Sequence, residues 1–233
     1  MRVWAIVVAG GSGARFGGPK QFAELAGRTL VARAVDAAQA VCGGVVLVLP
    51  PADAAGDPTR WAADAVVAGG TTRSESVRAG LSAVPADADV IAVHDAARPL
   101  AAAPIWDAVI AAVAGGADGA IPAVPVTDTV KRVEADGTLT TLDRSRLVTV
   151  QTPQAFAAGA LRRAHAGGAN ATDDAALVEA FGGRVAVVAG ASTNVKVTSS
   201  ADLAVAAALL TETALVTGAG LTGAALVTGE EPL

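Results

Sequence analysis

Val3-Trp4-Ala5-Ile6-Val7-Val8-Ala9-Gly10-Gly11-Ser12-Gly13-Ala14-Arg15-Phe16-Gly17-Gly18-Pro19-Lys20-Gln21-Phe22 is a short apolar run that empties into a loop of glycines with one arginine and one lysine. Glycines free backbone N–H groups to approach phosphate oxygens closely, and the carboxyl edge of a strand in an open α/β sheet is where ligands bind. The stretch therefore reads as a buried strand followed by a phosphate cradle, with backbone from Ala9, Gly10, Gly11 and Gly13 and charge from Arg15 and Lys20. Two common cradles fail on the same residues. A dinucleotide fingerprint built on Gly11 and Gly13 needs glycine at position 16, which is Phe, and the run at 44–49 ends in Pro50 with no ribose-binding acid. A P-loop needs Lys and then Ser or Thr directly after Gly18, where Pro19 intervenes.

Outward from the loop, Val, Ile and Ala runs at 3–8, 44–49, 64–68, 90–94, 119–124 and 185–189 alternate with helical spacing at 29–41, 73–83 and 104–114. That alternation predicts repeated βα units: a three-layer α/β/α sandwich around a mostly parallel, Rossmann-like sheet. Thr29 and Thr72 suit N-caps, and Pro104 suits a first turn. Between 126 and 148 the texture changes. Charged and β-branched residues surround Glu134-Ala135-Asp136-Gly137, a hairpin signal, and predict a β-arm leaving the sheet. The chain returns through Val148–Val150, a turn at 151–154, helices near 157–166 and 173–181, and a last helix at about 200–213. Residues 1–213 thus form one domain. The tail, 214–233, contains Ala-Leu-Val-Thr-Gly twice and is assigned no function.

Composition narrows the function. The 233 residues are 52% hydrophobic and 3% aromatic, with 17 Lys and Arg against 22 Asp and Glu. A net charge of −5 argues against nonspecific binding to nucleic acid or to an anionic membrane, so any polyanion has to be met by a local basic cluster. One Cys and two His leave no disulfide framework and too few soft ligands for structural zinc. With no export signal and no transmembrane run, the expectation is a cytoplasmic protein.

Six further blocks accompany the loop: Ala-Gly-Gly followed by Arg-Ser-Glu-Ser-Val-Arg-Ala-Gly-Leu within 68–81, Val-His-Asp-Ala-Ala-Arg-Pro at 93–99, Val-Thr-Asp-Thr-Val-Lys-Arg at 126–132, Gln-Thr-Pro-Gln-Ala-Phe at 151–156, Thr-Asp-Asp-Ala at 172–175 and Asn-Val-Lys-Val-Thr at 194–198. In these blocks and their order, the chain from residue 3 to about 210 resembles the 2-C-methyl-D-erythritol 4-phosphate cytidylyltransferase family of sugar-phosphate cytidylyltransferases. The stem from Arg15 to Lys20 is shorter than in many relatives.

The resemblance implies a nucleotidyltransferase sheet and transfer of CMP from CTP to a polyol phosphate, with release of pyrophosphate, in non-mevalonate isoprenoid synthesis. It implies Arg15 and Lys20 as the transition-state pair, Lys196 and Arg144 on the reacting phosphates, and Gly70, Thr71 and Ser76 as readers of the cytosine nucleotide. Asp95, Arg98, Thr129 and Thr172 would meet the sugar phosphate. The residues themselves permit this. Asp95 follows an apolar strand, where a carboxylate can help hold Mg²⁺ or another divalent cation between phosphates, or cap the next turn; Arg98 can serve the substrate phosphate or its own loop. Ser76 can donate to a cytosine or ribose edge. Lys196 sits on a late, otherwise apolar strand. His94 is read as a packed structural residue, because a phosphate monoester is ionised near neutral pH and gives it no proton to move. The arm, with little core of its own, implies a homodimer in which Thr129 and Arg144 reach the neighbouring site. Ribitol-5-phosphate cytidylyltransferase, a guanylyl or molybdenum-cofactor nucleotidyltransferase, and a catalytically silent nucleotide-binding regulator stay open as alternatives.

Overall fold

A computed structural model describes residues 1–11, 13, 16–55 and 58–219. In chain order its elements are β1 (Val3–Val8), β2 (Glu24–Leu25), β3 (Arg28–Thr29), α1 (Leu30–Gln39), β4 (Gly44–Leu49), α2 (Pro51–Ala54), β5 (Ala65–Ala68), α3 (Arg73–Ala83), β6 (Val90–Asp95), α4 (Ala103–Ala114), β7 (Gly119–Pro125), β8 (Lys131–Val133), β9 (Leu139–Thr141), β10 (Val148–Val150), β11 (Gln154–Ala157), α5 (Ala158–Ala166), α6 (Asp174–Ala180), β12 (Val185–Ala189) and α7 (Ser200–Ala219).

The main sheet runs β10-β7-β11-β6-β1-β4-β5, with β12 on the other side of β7. The pairs β6–β1, β1–β4, β4–β5 and β7–β12 are parallel, whereas β10 and β11 run antiparallel to β7. The period of two along each strand sends alternate side chains into separate cores. Val3, Ala5 and Val7 of β1 pack with Val31 and Val35 of α1 and Trp106 and Val109 of α4. Ile6, between them in sequence, faces the other layer with Val77 of α3, Leu161 of α5 and Val178 of α6. The expected three layers are therefore present. Thr29 caps α1 by accepting from the Ala32 N–H at 3.3 Å, and Pro104 lies in the first turn of α4.

Three elements depart from the sequence reading. Residues 154–157, expected to run from the end of the 151–154 turn to a helix starting near 157, form β11, which wedges between β6 and β7 with Gln154 level with Val93. Helix α7 continues past 213 to Ala219, through the helix-forming Ala214 and Leu215; 220–233 lie outside the described residues. The segment 194–198 is an extended loop and not a strand, pinned by the Val197 N–H donating to the Ala97 carbonyl at 2.8 Å.

Candidate active site

The chain passes from β1 through α1 to β4 on one side of β1, and returns from β5 through α3 to β6 on its other side, so the strand order reverses at β1 and a crevice opens there. Val8 lies level with Asp95, so the glycine loop after β1 and the turn after β6 share one rim. A cleft of about 540 Å³ lies there, with Ala9, Gly10 and Gly11 on one side, Gly70, Thr71 and Ser76 on another, and Lys20, Asp95 and Lys196 among its remaining lining. Nine of the residues singled out from sequence thus converge in one place. Gly13 does not line the cleft. Its φ is +67°, its carbonyl accepts from the N–H groups of Phe16 and Gly17, and any side chain there would collide with the Gly18 carbonyl, so the loop can close only on glycine.

The segment at 70–76 is built by the start of α3. Thr72 caps the helix and Glu75 answers, its carboxylate accepting from the Thr71 N–H at 2.7 Å, the Thr71 hydroxyl at 2.6 Å and the Thr72 N–H at 3.2 Å. Ser76 Oγ donates to the Thr72 carbonyl at 3.0 Å and accepts from the Gly70 N–H at 3.2 Å. Its proton being engaged, Ser76 offers the cleft a lone pair, where a donor was expected.

Charge in the cleft is lopsided. Three of the described lining residues are cationic, Lys20, Arg73 and Lys196, against one carboxylate, Asp95. On a chain of net charge −5 this is the local basic cluster that a polyanion requires. Asp95 Oδ2 lies 2.7 Å from Lys196 Nζ and Oδ1 lies 3.3 Å from Arg73 Nε. Burial pushes the Asp95 pKa up, but Arg73 and then Lys196 outweigh it and hold the carboxyl well below the usual range. Lys20 Nζ donates to the Val197 carbonyl at 2.8 Å, which brings the second lysine to the segment carrying the first.

Sequence reasoning passes over Arg73, although it lies in the block at 68–81. The available signal was position, since a basic first residue on a helix after Gly69-Gly70 must stand at the strand's carboxyl edge. Arg98 ties its turn to two distant segments. Its Nη1 donates to the Asn194 carbonyl at 2.7 Å and its Nη2 to the Val150 carbonyl at 3.2 Å, and it does not line the cleft. His94 is fully buried behind the cleft with both ring nitrogens engaged, by the Arg98 carbonyl and the Thr152 hydroxyl. Thr172 is exposed just before α6, which Asp173 caps by accepting from the Ala176 N–H at 3.0 Å. Thr129 and Arg144 are exposed on the arm, where Arg144 donates to the Thr127 carbonyl. Arg15 lies outside the described residues.

The chemistry available is that of a preorganised cationic bed. The described lining offers no histidine or cysteine, and its lone acid is ion-paired, so it suits anchoring and charge stabilisation and not nucleophilic or acid–base catalysis. Among the described residues there is no group of three or more His, Cys, Asp or Glu that could hold a metal ion, and no helix is long and apolar enough to cross a membrane.

A family model of 2-C-methyl-D-erythritol 4-phosphate cytidylyltransferase matches residues 3–212. The chain is 44% identical to the protein of that name from Rhodococcus jostii, over 90% of this chain and 96% of that one. It is also 44% identical to a bifunctional enzyme IspD/IspF of Clavibacter michiganensis, over 98% of this chain but 58% of the longer protein. The crystal structure of the cytidylyltransferase from Thermus thermophilus superposes with a TM-score of 0.77 at 35% identity, covering 90% of this chain and 98% of that one.

Proposed function

Because the chain belongs to the 2-C-methyl-D-erythritol 4-phosphate cytidylyltransferase family, and so forms 4-diphosphocytidyl-2-C-methyl-D-erythritol from CTP and 2-C-methyl-D-erythritol 4-phosphate, we propose that its cleft works by charge and alignment alone. A phosphate oxygen of the acceptor attacks the α-phosphorus of CTP, the bond from that phosphorus to the bridging oxygen breaks, and pyrophosphate leaves. The attacking oxygen is already ionised, so no base is needed. The carrying observation is that the described lining of the cleft sets three cations around one ion-paired carboxylate and holds no histidine or cysteine.

Lys20, with Arg15 in the same loop, grips the triphosphate and stabilises charge building at the α-phosphorus; Lys196 steadies the reacting phosphates. Backbone of Ala9–Gly11 and the Gly70, Thr71 and Ser76 segment hold the nucleotide, and the Ser76 lone pair suits the cytosine amino group. A single carboxylate would suit a magnesium ion brought in with the triphosphate and does not suit a resident ion held by protein alone. Asp95 would hold it, and when bound it would screen the crowded phosphates. Thr172 meets the acceptor from beside α6, and Arg98 acts by locking the turn under Asp95. Thr129 and Arg144 act in a homodimer, on the acceptor in the neighbouring cleft. A cytoplasmic setting belongs to the same reading, in keeping with Cys42, a lone buried thiol pushed up to about 12 by burial.

Pyrophosphate release tests the reading. Protein, Mg²⁺, CTP and methylerythritol phosphate should give rapid release, ribitol 5-phosphate little, and ATP or GTP little with either acceptor. Equal turnover of ATP and CTP, or preference for ribitol phosphate, would move the protein to a sister activity. Lys20→Ala should stay folded and lower kcat/KM for CTP at least about a hundredfold, since one lost charge-assisted contact to the transition state costs roughly 3 kcal/mol.

A further inference from the structure

The charges of the cleft continue behind it. Arg73 reaches away from Asp95 to Asp174, its Nη1 2.7 Å from Asp174 Oδ2, while Asp174 Oδ1 lies 3.0 Å from His165 Nε2. Asp174 opens α6, has no exposed surface, and does not line the cleft. Both its oxygens are spent, one on a cleft-lining residue and one on a histidine of α5.

A guanidinium is a planar fork, so fixing two of its nitrogens fixes where the third points. Asp95 holds Nε and Asp174 holds Nη1; the remaining nitrogen, Nη2, is buried and has no hydrogen-bond partner among the described residues. A fully buried carboxylate is costly, and an apolar pair of similar volume often stabilises as well or better, so packing alone gives little reason for a charge at position 174. Aiming Arg73 does give one. It also protects the cleft, because an Arg73 with a single carboxylate partner would be free to turn one edge of its fork onto both oxygens of Asp95 and compete with Lys196 for Oδ2.

Building on the cytidylyl-transfer reading, we propose that Asp174 is a positioning residue for the reaction: from behind the cleft it sets the plane of Arg73, which keeps Nε on Asp95 Oδ1, holds the guanidinium charge at the phosphate-binding cleft and leaves Asp95 Oδ2 to Lys196. The alternative is a strut that merely joins α5 to α6 through His165.

A double-mutant cycle on the intact protein separates them. Asp174→Asn, Arg73→Ala and the double variant are compared in kcat/KM with CTP and methylerythritol phosphate, and in calorimetric affinity for inorganic pyrophosphate, whose capture needs only correctly set cations. Positioning predicts that Asp174→Asn loses at least tenfold in both readouts and that the double variant is no worse than the poorer single one, since Asp174 acts through Arg73. A loss below tenfold, or losses that multiply in the double variant, would overturn the proposal. Should Asp174→Asn not fold, Asp174→Glu, which keeps the charge but moves the oxygens one bond outward, takes its place under the same criteria. Coupled losses in pyrophosphate binding by a wild-type protein that makes no product would keep the role of Asp174 and remove the activity reading.

Discussion

His94 has one tautomer open to it. Its Nε2 faces the Arg98 carbonyl at 3.1 Å, which can only accept, so the proton sits on Nε2 and Nδ1 accepts from the Thr152 hydroxyl at 3.1 Å. That hydroxyl oxygen accepts the Asp95 N–H at 3.0 Å, so a neutral imidazole braces the backbone of the cleft's one acid. Burial lowers the His94 pKa from 6.5 to about 4, against an opposing pull from Asp95. The sign follows: between pH 6.5 and 4 the unfolded chain takes up a proton that the folded chain refuses, so stability is lost as pH falls through that window, by roughly 3 kcal/mol in all. Denaturant titrations at about pH 7.5, 5.5 and 4.5 should show His94→Gln less stable at the top of the range but falling less steeply than wild type. Parallel slopes would mean that His94 does not titrate in this window.

At the scale of elements, α3 shows why a residue that looks wrong for a helix is right for this one. Gly80 sits in the middle of the helix, where alanine would ordinarily gain about 1 kcal/mol. A methyl group there would lie 2.5 Å from Ile6 Cγ2 and 3.2 Å from Val48 Cγ2, both on fully buried, β-branched side chains with nowhere to turn. Overpacking typically costs about 1–3 kcal/mol, so the clash should win: Gly80→Ala is expected to lower Tm by several degrees, and a raised Tm would show that α3 can lift off the sheet. The same helix marks how far sequence carries. Its cap at Thr72 and its span were legible because capping chemistry is local, and β1, β4 and β6 were legible as unbroken apolar runs. β11 was not, because four residues with one large apolar side chain, Phe156, show no period, and only the neighbours β6 and β7 make them a strand. Among site residues, glycines and lysines in loops announced themselves, whereas the bond from Arg73 to Asp174 joins residues 101 apart in sequence and leaves no local mark.

For the whole molecule, the arm is the part that the single chain leaves unfinished. Among the described residues β8 and β9 pair only with each other, and Val133 and Leu139 stand 69% and 62% exposed on a hairpin of three-residue strands, which is marginal alone in water. If the arm serves a neighbouring cleft, Lys20→Ala and Arg144→Ala proteins, each nearly inactive, should recover about a quarter of wild-type activity after random subunit exchange, because each mixed dimer holds one site with both groups intact. Verified exchange without recovered activity would restrict Arg144 to its own chain. The way the arm is rooted has a consequence of its own. Pro125, the last residue of β7, and Val148, the first of β10, are a cross-strand pair, so the excursion leaves the sheet and rejoins it at one point on the rim. Closing a loop whose ends already touch costs only about 0.6 kcal/mol more for each doubling of its length, and no strand has to slip register to admit the extra residues. The scaffold is therefore indifferent to this segment's length: shortening, extending or replacing it between those two anchors, like a tool head on a fixed handle, leaves β1 and β6 holding the rim, while a replacement lacking Thr129 and Arg144 would lose what the arm is proposed to bring to a neighbouring cleft.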